Sequence, residues 1–179
     1  MRKLLLLCFL VLSSIKVLAQ RSTEPVKNSV KANPLGLLFG SPDLLSYERA
    51  ISDHSTLLLG LGYSSLSVED LSYKAKGINL QYRYYFKEAI KDWYVLGSVA
   101  STSGKLSSSS ESIEYSNILI GSKAGYQWVW ESGFSLDLGG GFNYVIYDYD
   151  LTGVTSLSES SIKANGVVLS LGFGLGYSW

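Results

Sequence analysis

The chain has one histidine, His54, and one cysteine, Cys8. Chemistry that needs an imidazole or a thiol therefore has a single candidate of each. His54 sits in Ser52-Asp53-His54-Ser55, where a hydroxyl, a base and an acid are all at hand. They are neighbours on one tight turn, however. A triad needs the base held between nucleophile and acid at hydrogen-bond distance, which such a turn does not provide without unusual geometry. His54 reads as a polar turn residue and the chain as a non-enzyme. Zinc or haem would need several His or Cys. Calcium needs six to eight oxygen ligands, so Asp148 with Asp150 and Glu69 with Asp70 read as solvated acidic rims. Gly139-Gly140-Gly141 and Gly172 to Gly176 have no following helix or Lys and are not phosphate loops. No metal and no cofactor is expected. Four charged groups remain, Glu48, Arg83, Lys123 and Asp137, and their chemistry depends on the elements that carry them.

Composition narrows those elements. Of 179 residues, 46% are hydrophobic, 13% aromatic and 17% charged, the last below the ~25% usual for soluble domains. Lys+Arg and Asp+Glu balance at 15 each with no basic run, so no nucleic-acid partner is expected. The apolar fraction is too high for a disordered chain. Residues 1–19 read as a secretory signal peptide: Arg2 and Lys3, an apolar run Leu4 to Leu12, then Val17-Leu18-Ala19 before the cut. The run is too short for a spanning helix, which takes ~20 apolar residues. Cys8 lies near its start, not at its end, which argues against lipidation. Cleavage removes Cys8 and leaves an exported chain without disulfides, to be held by burial or backbone pairing. Residues 20–31 read as a flexible periplasmic lead-in.

From Ala32 the hydrophobic period is two. In 167–179, Val167, Leu169, Leu171, Phe173, Leu175, Tyr177 and Trp179 alternate with mostly small residues, the mark of a strand with two different environments. Segments 57–64, 77–86, 116–130 and 134–146 alternate in the same way; 33–40, 44–51 and 93–105 are weaker but compatible. Eight antiparallel segments can close on themselves and remove their edges. Connections at 52–55, 87–92 and 131–133 read as tight turns. Those at 67–73, 106–114 and 151–162 read as longer loops rich in Ser, Glu and Asp, and the one at Ser41-Pro42-Asp43 as short. That contrast predicts short periplasmic turns on one rim and external loops on the other.

Period two alone does not say which face looks outward. A soluble periplasmic barrel would put the apolar face inside. Against it, the other face is mostly Gly, Ser and Asn, where a water-facing surface would carry Lys and Glu on many strands. Small and polar residues suit the narrow lumen of eight strands. The tryptophans also sort by height: Trp93, Trp128, Trp130 and Trp179 fall at the turn-side rim, with Phe86, Phe134 and Tyr177. That is a girdle at a lipid–water boundary. Tyr63, Tyr115, Tyr144 and Tyr147 are expected as a sparser girdle at the other rim.

Gly174, Tyr177 and Trp179 resemble the C-terminal insertion signal of outer-membrane barrels, although Gly172 departs from the polar residue usual at its start. Across 32–179 the chain resembles small eight-stranded outer-membrane proteins of the OmpA/OmpX/OmpW type. Asn33-Pro34-Leu35-Gly36-Leu37-Leu38 and Tyr47-Glu48-Arg49-Ala50 look closest to a domain-of-unknown-function branch of that group. The resemblance implies assembly by the barrel insertion machinery and supplies no active site.

The expected protein is thus an all-β, eight-stranded, up-and-down transmembrane barrel over 32–179, a monomer in the outer membrane in contact with its lipid. Glu48, Arg83 and Asp137 lie three or four residues in from the turn-side rim on the lumen register, with Lys123 higher. Opposite charges at one level would pair and form a structural plug rather than a gate or ion relay. The alternatives are a narrow pore for small solutes and a lipid-modifying enzyme. The Ser-rich loops, Ser107 to Ser110 and Ser156 to Ser161, read as hydrophilic cover, with contact to a surface ligand as the alternative.

Overall fold

The computed structural model describes residues 25–34, 42–68, 71–108, 112–150 and 161–179. The signal-peptide reading of residues 1–19 lies outside these residues, as do Glu69, Asp70 and the Ser-rich stretch 151–160. Eight strands follow one another: β1 (Asn28–Ala32), β2 (Leu45–Ala50), β3 (Ser55–Val68), β4 (Leu71–Tyr85), β5 (Asp92–Ser107), β6 (Ser112–Val129), β7 (Phe134–Asp150) and β8 (Ser161–Ser178). Each pairs antiparallel with its sequence neighbour, and β1 pairs with β8 to close the ring. Among the described residues there is no helix. The fold is all-β, an up-and-down barrel whose sheet ends on itself.

The alternation sets the orientation of every strand. In β4, burial alternates without a break from Ala75 to Tyr85. Leu57, Leu59 and Leu61 of β3 and Ile78, Leu80 and Tyr82 of β4 are exposed on the outer surface, while Leu58, Asn79, Gln81 and Arg83 are buried. The greasy register faces out and the small and polar register faces in, the reverse of a lipocalin-like barrel. Consequently the interior is polar: Ser29, Lys31, Glu48, Thr56, Gln81, Arg83, Gln127 and Asp137 are all buried, and the apolar interior is confined to residues such as Leu58, Tyr85, Tyr94, Leu96 and Val145.

Several boundaries differ from expectation. β1 starts at Asn28, inside the segment read as a lead-in to residue 31, and ends at Ala32, where the barrel was expected to begin. The expected strand 33–40 is not borne out at Asn33-Pro34, which leave the ladder; its remainder lies outside the described residues. Ser29-Val30-Lys31-Ala32 escaped notice because its inward residues are a serine and a lysine and its outward ones are small. The connection from Ala32 to Leu45 is therefore long, and Asp43 near its end reaches the lumen side chains: Asn79 donates to both Asp43 carboxylate oxygens at 2.8 Å, and Gln81 donates to Oδ2 at 3.2 Å. At the other loop-side ends the strands run further than expected, to Val68, Ser107 and Asp150, and resume at Leu71 and Ser112. Serine and glutamate there continue the ladder, since neither removes a backbone donor as proline does. Tyr115 and Tyr147 take the inward register, and Tyr115 shares a 2.8 Å hydroxyl contact with Tyr73; Tyr63 and Tyr144 face outward.

The turn-side end is tightly tied. Tyr85 N–H donates to His54 O and Ala89 N–H to Asp53 O, so the β2–β3 and β4–β5 turns lock together. Ile90, fully buried, takes φ of 70°. A β-branched residue adopts that conformation only under constraint, and burial of its side chain offsets the strain.

Candidate functional site in the barrel lumen

Three of the four charges singled out in the sequence meet in one layer. Arg83 Nη1 of β4 lies 2.5 Å from Asp137 Oδ2 of β7 and 3.7 Å from Glu48 Oε2 of β2. Lys31 of β1 joins them: its ammonium donates to Glu48 Oε2 at 2.6 Å, Asp137 Oδ2 at 2.8 Å and Gln127 Oε1 of β6 at 3.0 Å. Two cations and two anions thus balance within a few ångströms. All four are buried. Such a cluster is favourable only when further hydrogen bonds satisfy its charged groups.

Neutral groups complete it. Thr56 of β3 donates to Glu48 Oε1 at 2.5 Å, and Tyr85 hydroxyl lies 2.8 Å from both Glu48 Oε1 and Gln127 Oε1. Tyr94 of β5 donates to Asp137 Oδ1 at 2.6 Å. Arg83 Nε and Nη2 donate to Gln81 Oε1 at 3.1 and 2.9 Å, and its guanidinium stacks 4.6 Å from the Tyr94 ring centre. Seven strands therefore hand a side chain to this layer.

The eighth strand contributes space. A Cβ on Gly176 would lie 2.2 Å from Val30 O and 2.7 Å from Lys31 Cγ, so glycine lets the Lys31 stem lie against β8. On the far wall, Cβ atoms on Gly125 and Gly139 would lie 2.4 and 2.8 Å from the Tyr94 hydroxyl. These glycines make room for the tyrosine to cross the lumen to Asp137.

Lys123 is not in the layer. It lies along a cavity of about 100 Å3 on the loop side, which Asp43, Asn79, Asn143 and Ser170 also line. His54 is held in its turn with Nδ1 3.2 Å from Tyr85 O, while Ser55 Oγ contacts the Tyr82 hydroxyl at 2.8 Å and not the imidazole.

The aromatic set gathers at the turn-side rim. Phe86, Trp93, Trp128, Trp130, Phe134 and Trp179 are exposed and Tyr177 is half-buried. Rings pack on one another around the rim: Trp93–Tyr126 at 5.2 Å edge to face, Tyr126–Trp128 at 4.5 Å and Trp130–Phe134 at 5.2 Å tilted, and Tyr177–Trp179 at 6.0 Å stacked. The C-terminus is bound into the seam. Trp179 O accepts from Lys27 N–H and Asn28 N–H, and Trp179 N–H donates to Asn28 O at 2.9 Å.

A family model described as "Protein of unknown function (DUF3575)" matches residues 4–159. The chain belongs to the DUF3575 family. No curated protein and no solved structure matches it. The matched span carries Lys31, Glu48, Arg83, Lys123 and Asp137, and it stops before β8 with Gly174, Tyr177 and Trp179. In this DUF3575 barrel the layer is an ion-paired septum: each carboxylate faces two cations and at least one hydroxyl, an arrangement suited to tying strands together. Sequence reasoning missed Lys31, Thr56, Gln81, Tyr85, Tyr94 and Gln127. The available signal was the Ser29-Val30-Lys31-Ala32 alternation, which places a lysine on the inward register.

Proposed function

We propose that the chain is an integral outer-membrane β-barrel with a plugged polar lumen, serving a structural or surface-interaction role and not an enzymatic one. One observation carries this reading: a closed barrel turns large apolar side chains outward on β3 to β8 and buries its ions inside. Leu171 is 77% exposed, Leu80 55% and Phe142 61%. In water such a surface would be an aggregation liability; in hydrocarbon it is the favourable side, and the closed ladder leaves no unpaired strand edge.

The aromatic rim supports a lipid–water boundary at the turn side. Residues 1–19 support export, and the likeness to barrels of the OmpA/OmpX/OmpW type supports delivery by the insertion machinery through Gly174, Tyr177 and Trp179. The septum supports a closed lumen, since seven of the eight strands meet in it. The loop-side strand ends and the serines beyond them are the parts available for surface contact.

Membrane fractionation and gel mobility test this. The protein should pellet with outer membranes, resist extraction without detergent, and run faster unheated than boiled. Recovery as a soluble protein without detergent would defeat the proposal. A narrow pore is the second reading, favoured by the polar cavity beside Lys123. Planar-bilayer recording separates the two: silence fits the septum, discrete openings the pore.

A further inference from the structure

On the outer wall of β4 and β5, three lysines crowd together at the loop-side end. Lys74 and Lys105 are direct cross-strand partners, and Lys76, two residues along from Lys74, pairs with Ser103 and Tyr63. All three are exposed on the outward register. Like charges set directly opposite each other on a sheet are destabilising. Glu114 of β6 relieves one of them, with Lys105 Nζ 2.9 Å from its Oε1. Among the described residues Lys74 and Lys76 enter no ion pair.

Their height gives the cluster a partner. Phe86 and Trp93 mark the turn-side rim of these two strands, joined by a 3.0 Å backbone bond. Along β4 the outward residues above Phe86 are Tyr84, Tyr82, Leu80 and Ile78, and then Lys76 and Lys74. Lys76 stands ten residues above Phe86, as Ser103 does above Trp93. Ten residues at ~3.4 Å, tilted by about 40°, rise roughly 26 Å along the barrel axis. That matches the ~25 Å apolar band of outer-membrane barrels. The lysines therefore sit one band height above the aromatic rim, where headgroups of the opposite leaflet would lie.

We propose that Lys74, Lys76 and Lys105 form a binding surface for the phosphate headgroups of anionic lipid in the external leaflet. The inference rests on the membrane reading above. A headgroup phosphate supplies the negative charge that Lys74 and Lys76 do not receive from the described residues, while the acyl chains lie along Ile78, Leu80 and Val99, all outward and exposed. Glu114 acts as a competitor for Lys105.

The test uses folded full-length protein in nanodiscs of equal phosphatidylglycerol and phosphatidylcholine, with retained lipid identified by native mass spectrometry. The wild type should retain phosphatidylglycerol preferentially, and less so at high salt. The double variant Lys74→Gln/Lys76→Gln should lose about tenfold of that preference, and Lys74→Arg/Lys76→Arg should keep it. Glu114→Gln, which frees Lys105, should raise it. Insertion of the wild type without lipid preference, equal preference in the Gln variant, or displacement of the lipid by millimolar inorganic phosphate would each overturn the proposal alone. Failure to enter nanodiscs at all would overturn the membrane reading, and this inference with it.

Discussion

Arg83 and Asp137 meet across the lumen from strands three apart in the ring, with Nη1 2.5 Å from Oδ2. Tyr94 fixes both partners: its hydroxyl donates to the other oxygen of the Asp137 carboxylate and its ring lies beneath the guanidinium. Removing one member of a buried pair leaves the other charge without compensation, at about 3–5 kcal/mol. Lys31 still reaches Asp137, so Arg83→Ala should lose about 3 kcal/mol. The heat-modifiable mobility shift, followed against temperature, reads this directly; an unchanged midpoint would contradict the pairing.

Lys31 binds through charge and packs through its stem. Lys31→Met keeps the stem against Gly174 and Gly176 but leaves Glu48 and Asp137 with Arg83 alone, and should destabilise by about 2–3 kcal/mol. Adding Glu48→Gln should recover part of that loss, with a coupling above about 1 kcal/mol in a double-mutant cycle. Strictly additive effects would show that the two side chains do not interact in the folded barrel.

Lys123 provides the contrast. It lies in the lumen but outside the ion-paired layer, so Lys123→Gln removes no salt bridge among the described residues. Its unfolding midpoint should stay within about 0.5 kcal/mol of wild type. A loss as large as that of Arg83→Ala would place Lys123 in the septum after all.

Two glycines of β8 should respond differently to a side chain. Gly176 has no room for a Cβ beside Val30 O and Lys31, whereas the nearest atom to a Cβ at Gly172 is 3.7 Å away. Gly176→Val should therefore cost about 3 kcal/mol through overpacking at the closing seam and slow refolding into detergent micelles. Gly172→Ala should fold normally, and equal behaviour of the two would remove the packing explanation.

Leu80 lies near the middle of the outer face between Phe86 and Lys76. If that face meets hydrocarbon, Leu80→Arg should destabilise the barrel in lipid vesicles by about 2–4 kcal/mol. A change below about 0.5 kcal/mol would be the behaviour of a water-facing site.

The count of eight and the closed fold were read from alternating segments along the whole chain, with 33–40 standing in for the strand at 28–32, and the inward–outward assignment was legible from β4 and β8. A strand's side chains alternate strictly, so Ile78, Leu80 and Tyr82 against Asn79, Gln81 and Arg83 already name two environments. Equal height brought Glu48, Arg83 and Asp137 onto one list, and the strand direction put Trp93 and Trp130 at the same rim. These are local properties, set by neighbours along the chain.

The membership of the septum was not of that kind. Lys31 belongs to it because β1 closes against β8 in the register Lys31↔Gly176, and Lys123 does not because its level lies above the layer. Tyr94 reaches Asp137 only because Gly125 and Gly139 clear its path. Contacts across a lumen depend on how far each strand is staggered around the ring and on which facing positions are empty. Alternation along one strand carries no information about either, so the full set of partners emerged only once the eight strands stood together.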